Sequence, residues 1–354
     1  MTDASSPLAP GTAEVLDKHR FDVGALERYL AQHVDDFRGP LDVRQFRGGQ
    51  SNPTYYMRAP NREYVLRRKP PGKLLPSAHA VDREYRVITA LGPTPVPVPK
   101  TYALCEDDAV IGTAFYVMEY VRGRVLPDPR LPDFTPAERA AMYDSMNAVL
   151  ASLHTVDFRA VGLGDFGRTG AYVARQIHRW SQQYRASETE RIEAMEHLIE
   201  WLPAHIPADD ETSLVHGDFR LHNTIVHPTE PRIVAVLDWE LSTLGHPLSD
   251  LAYNSLPFRM PGDVFEGFAA RRPEGIPSEE EYVAAYCKRT GRSGIPNWDY
   301  YVAFSMFRLS AIAQGIMGRV VSGTANDPNA RARGARARPL AELGWKVLQE
   351  SGAV

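Results

Sequence analysis

The residues His216-Gly217-Asp218-Phe219-Arg220-Leu221-His222-Asn223 are followed, fifteen positions after Asn223, by Asp238 in Leu237-Asp238-Trp239. An Asp, an Asn five residues on and a second Asp form, in that order, a set that phosphoryl transfer can use. That reaction asks little covalent chemistry of a protein. It needs positioned reactants, neutralised phosphate charge and a carboxylate beside the attacking hydroxyl. In this set Asp218 would accept the hydroxyl proton, while Asn223 and Asp238 would hold Mg²⁺ between the phosphates of ATP. Any one of them alone would be an ordinary turn, cap or strand-end residue. Fixing His, Gly, Asp and Asn at these spacings has a chance rate of roughly one in a thousand over a chain of this length.

The flanking segments read as elements that could present these side chains. Residues 214–217 and 232–239 are short strand-like runs with loops attached. Thr135-Pro136-Ala137-Glu138 is a capping box with Pro at the first helical position, and it predicts a helix to about His154. Ser187…Glu190 and Ser278…Glu281 repeat the signature ahead of helices expected near 188–202 and 279–290. Further helices are expected near 170–184, 298–320 and 339–350. The N-terminal part is different. After a disordered segment over 1–20 and an amphipathic helix over 23–36, strands are predicted at 41–46, 54–58, 63–68, 100–105 and 114–121. One helix from Ser77 to Leu91 interrupts them, followed by a stiff Pro-rich connector over 92–100. The expectation is a five-stranded N-terminal lobe over 21–121 and a helical lobe over 122–354.

Composition sets outer limits. The chain has 354 residues, 44% hydrophobic and 24% charged, with a formal net charge of -4. Nothing in that balance draws it to nucleic acid or to an anionic membrane. No apolar run is long enough for a membrane span, the N-terminus lacks a signal sequence, and Cys105 and Cys287 are too few for a disulfide framework. A cytoplasmic setting is expected. Histidines 216, 222, 227 and 246 match no common zinc spacing. The basic tract Arg331–Arg338 is read as a solvated loop rather than a nucleic-acid contact.

The pattern H-G-D-x-x-x-x-N with a strand-ending D-W resembles the phosphotransferase family that includes aminoglycoside and choline kinases. The resemblance runs from about Leu41 to Leu348. It implies an α+β, protein-kinase-like bilobal fold, with a small antiparallel sheet in the N-lobe and a larger, mainly helical C-lobe. By the same resemblance Asp218 is the catalytic base, Asn223 and Asp238 are the metal ligands, and Arg220 stands where its charge could assist transfer. Tyr64-Val65-Leu66-Arg67 resembles the strand ending in the ATP-binding cation, with Lys69 on the same strand face as the other candidate. Glu84 would fix that cation. Gly48-Gly49-Gln50-Ser51-Asn52 would be the loop over the phosphates, although it lacks the G-x-G-x-x-G of protein kinases. Met118, Glu119 and Val121 would meet the adenine at the hinge, and Asp250 would brace the catalytic loop.

Within that family, the stretches YVLRRKPPGKLLPSAHAVDREYRV, MEYVRGRVL and LVHGDFRLHNTIVHP…VLDWELSTLGHPLSDLAY are similar to a kinase-like module found at the N-terminus of long acyl-CoA dehydrogenases. That likeness implies a hydroxyacyl-CoA as the small-molecule hydroxyl acceptor, and no dehydrogenase domain is expected after Val354. An aminoglycoside or other amino-alcohol is the alternative, for which Asp250, Asp263, Glu266, Glu274 and Glu279–Glu281 could form an acidic cleft. A catalytically silent nucleotide- or partner-binding module is the reading of another class, and intact Asp218, Asn223 and Asp238 argue against it. Protein-kinase activity is disfavoured because no A-P-E-type segment follows Asp238. Neither the acceptor nor the oligomeric state is fixed by these residues.

Overall fold

The computed structural model describes residues 9, 11–47, 52–70, 80–262, 264, 267–325 and 327–354. It divides into two compact units, Met1–Gly123 with Val234–Glu240, and Arg124–Ile233 with Leu241–Val354.

The first unit is built on an antiparallel sheet of six strands in the order β1-β2-β3-β4-β6-β5. These are β1 (Thr12–Ala13), β2 (Asp42–Phe46), β3 (Thr54–Arg58), β4 (Glu63–Arg68), β5 (Thr101–Cys105) and β6 (Phe115–Glu119). The aromatic and β-branched runs of β3, β4 and β6 suit a pleated, half-buried surface. Their period of two sorts the side chains. Tyr55, Met57, Tyr64, Leu66, Phe115 and Val117 form one apolar face, which packs with Leu26 and Leu30 of α1 (Val23–His33). Full burial of each of those leucines contributes about 1.5–3 kcal/mol. The alternate residues Arg67 and Tyr116 meet α2 (Val81–Leu91) through Glu84.

Two expectations for this unit are corrected. The sheet has six strands rather than five, because Thr12 and Ala13 pair with Phe46 and Gln45. Residues 11–20, expected to be disordered, are tied down further by Leu16 N–H on Gln45 Oε1 (3.2 Å) and by the Tyr55 hydroxyl on His19 O (2.9 Å). The α2 helix begins at Val81 after Ala80. Ser77, its expected cap, lies outside the described residues, as do Gly48, Gly49, Gln50 and Ser51.

The second unit is mainly helical. A single turn, α3 (Asp108–Ile111), closes the helices of the first unit; the second begins with α4 (Pro136–His154), α5 (Tyr172–Ala186) and α6 (Glu193–Ala204). Short strands β7 (Ser213–Val215), β8 (Thr224–Val226) and β10 (Thr243–Gly245) follow, while β9 (Ile233–Val236) falls from Val234 on in the stretch belonging to the first unit. Then come α7 (Pro247–Arg259), α8 (Glu279–Thr290), α9 (Trp298–Val321), α10 (Ala330–Gly334) and α11 (Ala337–Glu350). The central helix is α9, with Tyr300–Phe307 buried and α5, α6, α7, α10 and α11 packed around it.

Both complete capping boxes form, Thr135 with Glu138 and Ser278 with Glu281. The Ser187…Glu190 signature does not open a helix. Ser187 instead ends α5, its hydroxyl turned back to Gln183 O at 2.7 Å, and α6 starts at Glu193. The tract Arg331–Arg338 is not a loop but falls on α10 and the start of α11, with Arg333 paired to Asp327 (3.2 Å) and Arg338 to Glu190 (2.6 Å). Among the described residues no helix is long and apolar enough to cross a membrane.

Candidate active site

In the second unit, β7 delivers the chain into the His216–Asn223 loop, and two helices hold that loop by its backbone. The N–H groups of His216 and Gly217 both donate to the Asp250 carboxylate of α7, at 2.7 and 2.9 Å. His154 Nε2 lies 3.3 Å from the same carboxylate, with the Tyr286 hydroxyl 2.8 Å from its other ring nitrogen. Burial opposes the Asp250 charge. The hydrogen bond from His154, the nearby His154 and His216 rings and the His216 amide outweigh that cost and hold its pKa below the ordinary value.

Gly217 takes φ +82°, and a Cβ there would sit 2.8 Å from Leu241 O, so the turn demands glycine. Its carbonyl accepts from Arg308 of α9 at 2.7 Å. The Phe219 carbonyl accepts from Asn254 (3.3 Å), whose own oxygen takes the Tyr282 hydroxyl (2.7 Å). Each of these bonds satisfies a polar group that would be costly to leave unpaired in a buried loop.

The Asp218 carboxylate is gripped on both oxygens. Oδ2 accepts from Asn223 Nδ2 at 2.8 Å; Oδ1 accepts from the Tyr253 hydroxyl and lies 3.3 Å from Arg220 Nε. Burial, and then the Asp218 charge, raise the Tyr253 pKa, so the phenol stays a proton donor toward the carboxylate. The Asp218 side chain nonetheless keeps 17% of its surface open, enough for a ligand atom to reach it. Asn223 turns its nitrogen to Asp218, which leaves its Oδ1 as the atom a hard cation would take.

The first unit holds a second charged group. Arg67 Nε lies 2.9 Å from Glu84 and Nη2 lies 2.6 Å from Asp238, with Glu240 at 3.7 Å. Glu84 is fully buried and also accepts from Asn52 (2.9 Å) and the Tyr116 hydroxyl (3.0 Å). Burial pushes the Glu84 carboxyl up to about 7, against the pull of Arg67 and with Asp238 adding to the rise. Burial also disfavours the Arg67 charge, but Glu84, Tyr116 and Asp238 outweigh it and raise the pKa. Apart from Glu84, Asp238 and Glu240 both face this one guanidinium, and Asp238 is the carboxylate that could take a divalent cation. Asp238 itself takes φ +65°, a left-handed conformation that few residues other than Gly adopt.

Of the two candidate cations on β4, Arg67 is the one paired with Glu84. Lys69 stands one residue past the strand, its ammonium 4.0 Å from Asp82. Met118 is buried at the end of β6. Glu119 follows with its N–H on Lys100 O (2.8 Å), and Val121 lies in the segment beyond. The four clustered histidines serve separate local roles where their contacts are known. His216 Nδ1 accepts from Asp218 N–H, His227 Nδ1 from Glu230 N–H, and His246 caps α7. Three carboxylates of the proposed acidic cleft are engaged elsewhere. Asp250 is buried under the loop, Glu279 is paired with Arg259, and Glu281 closes a capping box; Asp263 and Glu266 lie outside the described residues.

Sequence reasoning missed Tyr253, Arg308 and Glu240. Tyr253 and Asn254 could have been found, since they follow Asp250 by three and four positions and so share its helix face. Arg308, ninety residues from Asp218, carried no local signal.

Residues 42–300 match the model of the phosphotransferase enzyme family. The chain is 47% identical over 348 residues to mouse acyl-CoA dehydrogenase family member 10, covering 97% of this chain and 33% of that protein. It therefore spans about a third of that relative's length, and 45% of the length of rat family member 11. A crystal structure of a candidate aminoglycoside phosphotransferase from Ralstonia eutropha is 54% identical, with a TM-score of 0.87, covering 94% of this chain and 99% of that one. A mutant of aminoglycoside phosphotransferase APH(4)-Ia, solved with ADP and hygromycin B, shares the fold at 15% identity, with a TM-score of 0.60 and 91% and 98% coverage.

Proposed function

Because this chain belongs to the phosphotransferase enzyme family, we propose that it moves the γ-phosphoryl group of ATP to a hydroxyl of a small molecule. The observation that carries the reading is the Asp218 carboxylate, held on both oxygens by Asn223 and Tyr253 and still reachable. A carboxylate so oriented can take the proton of an attacking hydroxyl while the bond from the γ-phosphorus to the ADP oxygen breaks. Arg220 beside it would stabilise charge on the transferring group. Asn223 Oδ1 and the Asp238 carboxylate are the proposed Mg²⁺ ligands; the bound ion would neutralise phosphate charge during transfer. Arg67, oriented by Glu84, is proposed as the nucleotide-binding cation. Asn52, Met118, the Glu119 carbonyl and Val121 complete the proposed nucleotide contacts, together with Gly48–Ser51.

For the acceptor we favour a hydroxyacyl-CoA, supported by the names of the relatives that match nearly the whole chain. The name of the Ralstonia protein supports an aminoglycoside instead; of the carboxylates that would attract a polycation, Asp250, Glu279 and Glu281 are engaged elsewhere. A cytoplasmic setting fits the free thiols Cys105 and Cys287, both buried.

ADP release with Mg²⁺-ATP, measured across hydroxyacyl-CoAs, aminoglycosides and choline-like alcohols, tests the reading. Turnover on one class, reduced roughly 10²–10⁴-fold in Asp218→Asn, is expected for loss of a general base. Full activity in that variant would remove Asp218 from the mechanism.

A further inference from the structure

In the second unit, one guanidinium touching the catalytic loop and two on α5 have no carboxylate partner among the described residues. Arg308 of α9 donates to Gly217 O at 2.7 Å and otherwise lies over two rings, 5.4 Å from the Tyr253 centroid and 5.7 Å from that of Trp180. Its Nε is buried and has no hydrogen-bond partner. Arg179 lies 5.2 Å from the same Trp180 ring. Arg175 donates only to backbone, to Gly170 O and to Arg168 O (2.9 Å).

All three act electrostatically on Tyr172 at the start of α5. That ring is packed close to β7: a Cβ on Gly245 would sit 2.9 Å from Tyr172 and 2.8 Å from Val215, the residue before His216. Arg308 touches the loop that carries Asp218, Arg179 shares the Trp180 ring with it, and Arg175 stands one turn before Arg179 on α5. None of the three makes an ion pair among the described residues. Elsewhere in the same unit Arg185, Arg259, Arg289, Arg292 and Arg338 each hold a carboxylate. The carboxylates near the patch are engaged: Asp210 takes the Ala171 N–H at 2.8 Å on both oxygens, and Asp250 holds the loop.

A chain of net charge -4 has carboxylates to spare, so leaving three neighbouring cations unneutralised is not a consequence of composition. Arg179 and Arg308 lie over the Trp180 ring rather than on a carboxylate, and guanidiniums suit phosphate and carboxylate better than any other side chain. We propose that Arg175, Arg179 and Arg308 form a subsite for an anionic group, phosphate or carboxylate, carried by the molecule whose hydroxyl is presented to Asp218. This rests on the phosphotransferase reading above and gives it a substrate class, an anionic alcohol rather than an amino-alcohol.

Two measurements test it. With ADP and Mg²⁺ saturating, inorganic pyrophosphate is titrated calorimetrically into the wild type, Arg179→Gln, and Arg175→Gln with Arg179→Gln. Arg179 makes no hydrogen bond, so that variant leaves the fold intact. Binding at least tenfold weaker in the double variant is expected, with the difference shrinking at high salt; equal binding in all three overturns the subsite. Kinetically, a hydroxyacyl-CoA is compared with the pantetheine thioester of the same acyl group, which lacks the nucleotide phosphates. The double variant should raise KM for the CoA ester at least tenfold, leaving the pantetheine ester and the KM of ATP unchanged. A rise confined to the KM of ATP would assign the arginines to the nucleotide and overturn the proposal. Absence of turnover with every acceptor would defeat the phosphotransferase reading, while the pyrophosphate titration would still decide the subsite.

Discussion

Asp238, the proposed metal ligand, is held in an unfavourable backbone conformation. Its φ of +65° is poor for a side chain with a Cβ, and Arg67 pins its carboxylate from the side at 2.6 Å. Strain of this kind persists where the surroundings over-determine it, and it clusters at functional sites. Comparing two variants isolates it, since Asp238→Gly and Asp238→Ala lose the same carboxylate. The Gly variant should be more stable than the Ala variant by about 1 kcal/mol in urea unfolding, because only Ala retains the strained conformation. Both should lose phosphotransfer. Equal stability would mean that the left-handed backbone carries no strain. Tyr253 makes the complementary case, a residue that acts on another. Tyr253→Phe removes the hydroxyl from Asp218 but keeps the ring over which Arg308 lies. It should lower kcat about tenfold with little change in KM, as expected for an interaction that serves the reacting state. A change in KM alone would make Tyr253 a binding residue.

Among the elements, the loop after β7 depends on helices distant in sequence, and this explains which parts of the site could be read in advance. The strand-loop-strand around Asp218 was legible because its residues are local and ordered: His216, Gly217, Asp218, Asn223 and, fifteen residues on, Asp238. The capping boxes at Thr135 and Ser278 were legible for the same reason, since each is a reciprocal bond within four residues. Ser187…Glu190 carries the identical local signature, yet α5 continues to Ala186 and takes the serine as its own terminus. A local motif cannot reveal that an upstream helix has already claimed the residue. The sixth strand was missed because a two-residue strand has no periodicity of its own; it exists through its pairing with β2. Arg308 reaches Gly217 only through the packing of α9. The loop's dependence on its geometry can be measured. Gly217→Ala places a Cβ 2.8 Å from Leu241 O at a positive φ, and should cost about 2 kcal/mol or more together with most of the activity. Ser278→Ala removes a cap remote from Asp218 and should cost on the order of 1 kcal/mol, with kcat retained. If both variants lost stability without loss of kcat, the loop's shape would not matter to turnover.

Across the molecule, two carboxylates are buried among the described residues, one in each unit, and their pKa values move in opposite directions. Asp250 in the second unit is depressed by His154, His216 and the loop amides once their pull has overcome burial. A depressed acid stabilises the fold above its unfolded pKa, and that contribution is lost as pH falls through the folded value. Glu84 in the first unit is raised to about 7, with burial the leading cause. A raised acid has the opposite sign: its contribution is complete below the unfolded pKa of about 4.5 and is lost as pH rises through 7. A shift of that size corresponds to about 3 kcal/mol. Protection should therefore be greatest at about pH 4, with an acid arm below that in the second unit and an arm between about pH 4.5 and 7 in the first. Hydrogen exchange resolves the two units separately once intrinsic rates are corrected for pH. Peptides of β4, β6 and α2 should lose protection between about pH 4.5 and 7 in the wild type and much less in Glu84→Gln, which cannot ionise. Peptides of β7 and α7 should lose protection below about pH 4. Asp250→Asn should already lack that protection at pH 7, by about 3 kcal/mol, because an amide cannot accept from both the His216 and Gly217 N–H groups. Protection of the first unit that is flat from about pH 4.5 to 7 would mean that Arg67 keeps Glu84 ionised throughout. Its buried carboxylate would then serve only to aim that guanidinium.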